Sequence, residues 1–435
     1  MPNTINATML LMYAVPLVAF LALYMRRRRH HERESALRLT EAIESGMNEP
    51  ASLHPRIDPR RCLGSKACVD ACPEQAIGII NGKAQLVNAA ACIGHGACKA
   101  SCPHDAIELV FGTSRRGMDI PVVKPNFESN VPGIFIAGEL GGMGLIRKAV
   151  EQGRQAMESI VKRGGVAEPY DVVIVGAGPA GISASLAATQ RRLRFVTLEQ
   201  EDSFGGTVYH YPRNKVVMTA PVDLPIIGKM KFGEVSKETL LAFWQDVVAR
   251  TGVNVSFRER MEKVEAAGAG FVVRTSRREY RARSVLLAIG RRGTPRKLGV
   301  KGEDLPKVVY RLIDPEQYRG RRVLVVGGGD AALEAALACA AEPGTKVTLS
   351  YRGDAFSRVK QKNREELAAA QAARRIDVLL SSNLEAIGRA AVALDQGGRK
   401  VRLENDAVII CAGGILPTPL LKDMGVQVDT KFGTA

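Results

Sequence analysis

Apolar positions along this chain fall into runs of different length, and each length asks for a different element. The longest is Ala7 to Met25, ATMLLMYAVPLVAFLALYM, nineteen uncharged positions closed by Arg26-Arg27-Arg28-Arg29. It predicts a helix able to span a bilayer. Because the charge follows the run and no small-residue cleavage site appears, the helix reads as a retained anchor, with Pro16 tolerated inside it. Basic residues flanking a span mark the cytoplasmic side, so residues 1–25 are expected as a single-pass anchor in the cytoplasmic membrane, with the rest of the chain in the cytoplasm. Residues 26–54 are charged and predict a helical connector. Shorter apolar runs at 171–175 (DVVIV), 323–326 (VLVV) and 407–410 (AVII) predict buried strands. AIGIINGKAQLV and AIELVF, within 55–110, predict shorter strands of a small module.

That small module carries the densest chemistry. One cysteine pattern is written twice, Cys62-x5-Cys68-x3-Cys72-Pro73 and Cys92-x5-Cys98-x3-Cys102-Pro103, each cysteine of the second copy thirty residues after its counterpart. The pattern resembles the bacterial two-cluster ferredoxin run C-x2-C-x2-C-x3-C-P, with the second cysteine replaced by Ser65 in one copy and by His95 in the other. In the ferredoxin run the fourth cysteine crosses to the other cluster. The resemblance therefore implies one cluster on Cys62, Cys68 and Cys102 and another on Cys92, Cys98 and Cys72. A three-thiolate cluster either loses an iron or takes another ligand, so three-iron and four-iron centres are both open. His95 is the better substitute ligand and Ser65 the poorer, since imidazole binds iron readily.

Two glycine turns follow. Gly176, Gly178 and Gly181, with Pro179 and Ala180 between them, lie between the strand at 171–175 and a helix, and the next strand ends at Glu199. Glycines there allow a tight turn, close approach to a pyrophosphate and close helix packing, and the terminal acid can accept from a ribose hydroxyl. The second turn is Gly327, Gly329, Asp330, Ala331 and Ala332, with alanine in the third glycine position. Its next strand ends in Ser350-Tyr351-Arg352, where a cation suits a 2′-phosphate. Arg352, with Arg358 or Lys360, thus leans the site towards NADPH, while Asp354 keeps NADH open.

Nested turns of this kind, joined by SVLLAIGRRGTPRKLGVKGE, resemble the thioredoxin-reductase-like branch of the pyridine-nucleotide-dependent flavoproteins over about residues 115–435. The resemblance assigns the first turn to FAD and the second to NADPH or NADH. It also places Gly205, Gly206 and Thr207, with YPRNKVVMTAPVDLP, along the flavin in the manner of bacillithiol disulfide reductases. The C-x-x-C pair of thioredoxin reductase is absent before the second turn, as in the ferredoxin:NADP reductases of the same branch. Family members end in a segment like NVPGIFIAGELGG. Here it stands at residues 130–142, ahead of the FAD strand, which implies a circular permutation with Gly138 and Glu139 facing the flavin and Ala435 near residues 115–120.

The expected fold is α/β. It has two nested Rossmann-like three-layer domains, a small α+β ferredoxin domain and one N-terminal transmembrane helix. The expected boundaries are 1–25 anchor, 26–54 connector, 55–110 ferredoxin, 111–165 and 166–290 FAD domain, 291–410 NAD(P)H domain, and 411–435 a return into the FAD domain. Lys and Arg exceed Asp and Glu by 16. The excess lies in scattered pairs without interleaved aromatics, which argues against nucleic acid and fits a membrane surface, phosphate-bearing cofactors and an acidic redox partner. Cys339 and Cys411 read as core residues. The expected function is membrane-anchored electron transfer between NAD(P)H, FAD, two Fe-S clusters and a membrane-associated partner, in a chain that family precedent expects to dimerise. The alternatives are a low-molecular-weight disulfide or polysulfide reductase, and a non-catalytic redox-wiring or sensing subunit of a larger membrane complex.

Overall fold

The computed structural model describes residues 7–44, 49–50, 53–114, 116–142, 144–165, 168–211, 213, 216–219, 221–291, 293–356 and 359–433, with the side chains of 7–11, 216, 218 and 294 also outside the description. It divides into two compact units, residues 1–110 and 111–434.

The first unit opens with one continuous helix, Ala7–Glu44, so no break separates the expected anchor from the expected connector. The expected membrane span is overturned: among the described residues no helix is long and apolar enough to cross a membrane. Met12 to Met25 supplies fourteen uncharged residues before the four arginines. That is roughly 21 Å of helix against about 30 Å of hydrocarbon. The remainder of the expected span falls on residues 1–11, whose structure or side chains lie outside the description. The cytoplasmic-membrane localisation and the membrane partners drawn from the span fall with it. Further along, the helix packs on the ferredoxin module, where Ser35 lies against Gly78 and Ala42 is buried with Ala90. The module itself is an internal duplication. His54–Ile57 pairs antiparallel with Ile107–Val110, and Ile77–Ile80 forms a hairpin with Lys83–Leu86. Each cysteine motif turns into a one-turn helix, Ala67–Asp70 or Ala97–Ala100, entered through a left-handed residue, Lys66 or Gly96.

The second unit holds two parallel sheets. In the first, Tyr170–Val175 runs between Phe195–Leu198 and Glu279–Leu287, and Glu279–Leu287 continues into the antiparallel strands Gly270–Thr275 and Met261–Ala267. Ile134–Ile136 adds on parallel beside Val285–Leu287, although it precedes the whole sheet in sequence. Its following helix, Ile146–Arg163, packs on Pro179–Gln190 so closely that a side chain at Gly153 would overlap the Ala180 carbonyl. In the second sheet Arg322–Val326 is central, flanked by Lys346–Ser350 and Ala407–Ile410, and a three-stranded meander from Ser382 to Glu404 covers it. A two-stranded link, Thr294–Pro295 with Gly414–Ile415, lies where the chain passes between the sheets. The last strand, Val428–Lys431, pairs antiparallel with Met118–Pro121. Ala435 and Arg115 lie outside the described residues, and the nearest described partners are Lys431 and Met118.

Candidate functional site

The six motif cysteines gather in two groups. Burial pushes the Cys68 thiol up, with the Cys62 and Cys102 thiols adding to the rise, so these three are neighbours. Burial likewise pushes Cys98 to about 11, and the charges that add to it come first from Cys92 and Cys72. These are the two crossed sets, and Cys68 is close enough to Cys98 to act on it as well. Backbone amides point at the sulfurs: Ala84 donates to Cys62 Sγ (3.3 Å), Ala106 to Cys102 Sγ (3.4 Å) and Ala76 to Cys72 Sγ (3.4 Å). Thiolates stabilised in this way suit iron–sulfur ligation. Among the described residues no three metal-binding side chains converge on one metal ion. A cluster, by contrast, spreads its protein ligands over several irons. A cavity lies against Cys62, Cys68 and Cys102, and Ser65 and His104 also line it. Ser65 is exposed and His95 half-buried.

The first glycine turn is braced from below. Glu199 is buried, and its carboxylate accepts from the amides of Ala177 (2.7 Å) and Glu201 (3.0 Å). Burial raises its affinity for a proton against the pull of those amides. The sequence reading gave Glu199 a ribose to hold. The structure adds a second task, fastening the turn to the neighbouring strand. A Cβ at Gly181 would overlap the Gly176 carbonyl, whereas one at Gly178 would meet only Gly206, at 3.8 Å, so the helix packs tightly while the turn stays open above. Gly205, Gly206 and Thr207 close the same space, with the Gly205 amide donating to Ala177 O (3.0 Å). From the other side come Gly138, whose amide donates to Gln152 Oε1 (2.8 Å), and Glu139, whose carboxylate lies near Gly144 and Gly290, with Thr207 beside Gly290. The structure thus brings together Gly138, Glu139, Gly176, Gly178, Pro179, Ala180, Gly181, Gly205, Gly206 and Thr207. Sequence reasoning missed Arg291. Its guanidinium donates to the Asp119 carbonyl (3.0 Å), and burial pulls it below the usual range while Glu139 and Asp119 hold it charged. The Arg291-Arg292 pair after the strand was its only signal.

At the second turn Gly329 caps Asp330–Ala341, and a Cβ on it would meet nothing within 4 Å, which leaves room for a phosphate at the helix start. Ala332 is fully buried where the first turn requires glycine. Asp330 is engaged, accepting from Lys360 N (2.9 Å) and Asn363 Nδ2 (2.7 Å). Arg352 is exposed and forms no ion pair among the described residues. Arg358 lies outside them. Tyr351, also missed, lays its ring over Gly328 and stacks on Phe356 with centroids 5.4 Å apart. Cys339 is wholly buried, its thiol pushed up to about 12.

Two nucleotide turns on nested parallel sheets define a two-dinucleotide oxidoreductase. The chain belongs to the pyridine nucleotide-disulphide oxidoreductase family, whose profile matches residues 173–433, and a 4Fe-4S dicluster profile matches residues 54–103. It is an FAD-dependent NAD(P)H oxidoreductase that carries an iron–sulfur domain. Among its relatives is a ferredoxin–NADP reductase of Thermus thermophilus, 31% identical over 62% of this chain and 82% of that protein. One of Ignicoccus hospitalis is 36% identical over 43% of this chain, a match spanning only 57% of that protein. Among solved structures, bacillithiol disulfide reductase Bdr of Bacillus cereus superposes with a TM-score of 0.52 at 26% identity, covering 59% of this chain and 82% of that one.

Proposed function

We propose that the chain passes electrons between NAD(P)H and a one-electron redox protein, with FAD and two iron–sulfur clusters in between. The carrying observation is the presence, in one chain, of two nucleotide turns and two groups of three cysteines, with backbone amides donating to Cys62, Cys72 and Cys102. A bound flavin supplies the exchange between two-electron hydride chemistry and one-electron chemistry. The protein's part is positional. Glu199 holds the first turn in shape, Glu139 and Thr207 line the floor beside it, and Arg291 offers a cation against developing negative charge. Helix Ile146–Arg163 presents free amides at its uncapped start, which favour an anion in the same space. At the second turn Arg352, exposed and without an ion pair among the described residues, would meet a 2′-phosphate, and the ring of Tyr351 walls the turn.

The test is anaerobic titration of the reconstituted protein with NADPH and with NADH, followed by flavin and cluster absorbance. NADPH should bleach the flavin first and the clusters afterwards. Arg352→Ala should raise KM for NADPH about tenfold or more and leave NADH nearly unchanged, since a charge-assisted phosphate contact contributes roughly 1.5–3 kcal/mol. The Bdr likeness gives a second reading, reduction of a small disulfide. Flavin reduction followed by turnover of bacillithiol disulfide, with the clusters left oxidised, would replace the first reading with that one. The duplicated cysteine motif of residues 62–102 favours electron transfer, because hydride reduction of a small disulfide has no need of one-electron centres.

A further inference from the structure

We infer that His104, and not Ser65, supplies the fourth protein ligand to the cluster held by Cys62, Cys68 and Cys102. The inference rests on the crossed cysteine assignment and not on the identity of the electron partner. Cys62, Cys68 and Cys102 share one cavity, and among its other lining residues only Ser65, Lys66 and His104 carry side chains with a nitrogen or oxygen donor. Lysine at neutral pH is a cation without a lone pair to give. Between the remaining two, a neutral imidazole binds iron as it stands, whereas a serine hydroxyl must lose a proton from a far weaker acid. Ser65 and His104 are both exposed, so the choice between them rests on this donor chemistry.

Ligation consumes no electron. The imidazole nitrogen without a proton donates its lone pair to the fourth iron, and the other nitrogen keeps its proton.

The experiment uses the full chain, labelled with ¹⁵N-histidine and reconstituted anaerobically with ferrous iron and sulfide. Oxidised samples are read by electron paramagnetic resonance, and reduced ones by pulsed measurement of nitrogen couplings. In H104A the first site should show a three-iron signal absent from wild type and lose one strongly coupled nitrogen, while S65A matches wild type in both. Flavin content equal to wild type shows that the variants fold. A three-iron signal created by S65A and not by H104A, or a nitrogen coupling and spin count unchanged in H104A, overturns the inference. C68A separates the two levels: if it leaves both clusters whole, the cysteine assignment itself is wrong.

Discussion

Gly181 and Ala332 hold the same place in the two nucleotide turns, yet only one of them must be glycine. At Gly181 a methyl group would occupy the carbonyl oxygen of Gly176, and neither backbone can yield without opening the turn. At the second turn the methyl of Ala332 is fully buried and accommodated. Gly181→Ala should therefore lower flavin affinity at least about tenfold, a loss of ~1.4 kcal/mol or more, measured as flavin retained per chain after gel filtration. Ala332→Gly should keep nucleotide binding and cost only about 1 kcal/mol of stability, the usual helix penalty for glycine. The spacing of both turns was legible in the sequence because it follows from local backbone geometry. Partners set by tertiary packing were not. That Glu199 would brace the Ala177 amide, that Asp330 would be taken up by Lys360 and Asn363, and that Tyr351 would cover Gly328 all depend on residues distant in sequence. His104 likewise lies outside the slot of the missing cysteine, and only the fold brings it to the cavity beside Cys62, Cys68 and Cys102.

Between elements, the parse into strands and helices followed from apolar runs, while the neighbours of those strands needed the fold. The NVPGIFIAGEL segment supplies Ile134–Ile136, which pairs parallel with Val285–Leu287, a neighbour that no local pattern in the segment reveals. Asp119 joins the start and the end of the second unit, accepting from Thr430 Oγ1 (2.7 Å) and, more weakly, Thr418 Oγ1 (3.4 Å). Nineteen uncharged positions predict a span at the N-terminus, whereas the described part of that helix reaches its arginines too soon for one. Past the link between the sheets, Glu303 organises the chain as it approaches the second sheet. Its buried carboxylate accepts from the amides of Leu298 and Gly299 (2.7 Å each) and from Tyr310 Oη (3.0 Å). Burial raises its pKa, but those donors outweigh burial and hold it below the ordinary glutamate value. A depressed carboxylate contributes stability that is fully present above its unfolded pKa and is lost as pH falls through the folded one. The urea-unfolding free energy of wild type should thus drop as pH is lowered from about 5 towards 3, given an unfolded glutamate near 4.3. Glu303→Gln should be less stable by roughly 1–3 kcal/mol at neutral pH, since one buried donor loses its acceptor, and its stability should change less steeply across that window. An identical slope in the two proteins would show that Glu303 does not supply the acid dependence.

At the scale of the whole molecule, the two units divide the redox labour by chemistry. Hydride delivery requires a nucleotide and a flavin, and every residue that forms those turns lies within residues 111–434. One-electron exchange requires the clusters, and all six motif cysteines lie within residues 1–110. Of the remaining thiols, Cys339 is sealed in the core, and Cys411, which follows the last strand of the second sheet, packs against the same core. If output runs through the clusters, removing them should separate the two half-reactions. A Cys68→Ala, Cys98→Ala double variant takes one thiolate from each group and should retain its flavin. In stopped flow its flavin should be reduced by NADPH at a rate within about twofold of wild type, because a change well under ~1 kcal/mol is expected at a turn the mutations do not touch. Steady-state reduction of a one-electron acceptor protein such as a bacterial ferredoxin should fall at least about a hundredfold, equivalent to ~2.7 kcal/mol of lost activation. Both rates falling together would mean that the variant had damaged the flavin unit, and a flavin content below wild type would expose this. Acceptor reduction surviving at the wild-type rate would mean that electrons leave directly from the flavin, and the clusters would then need another role.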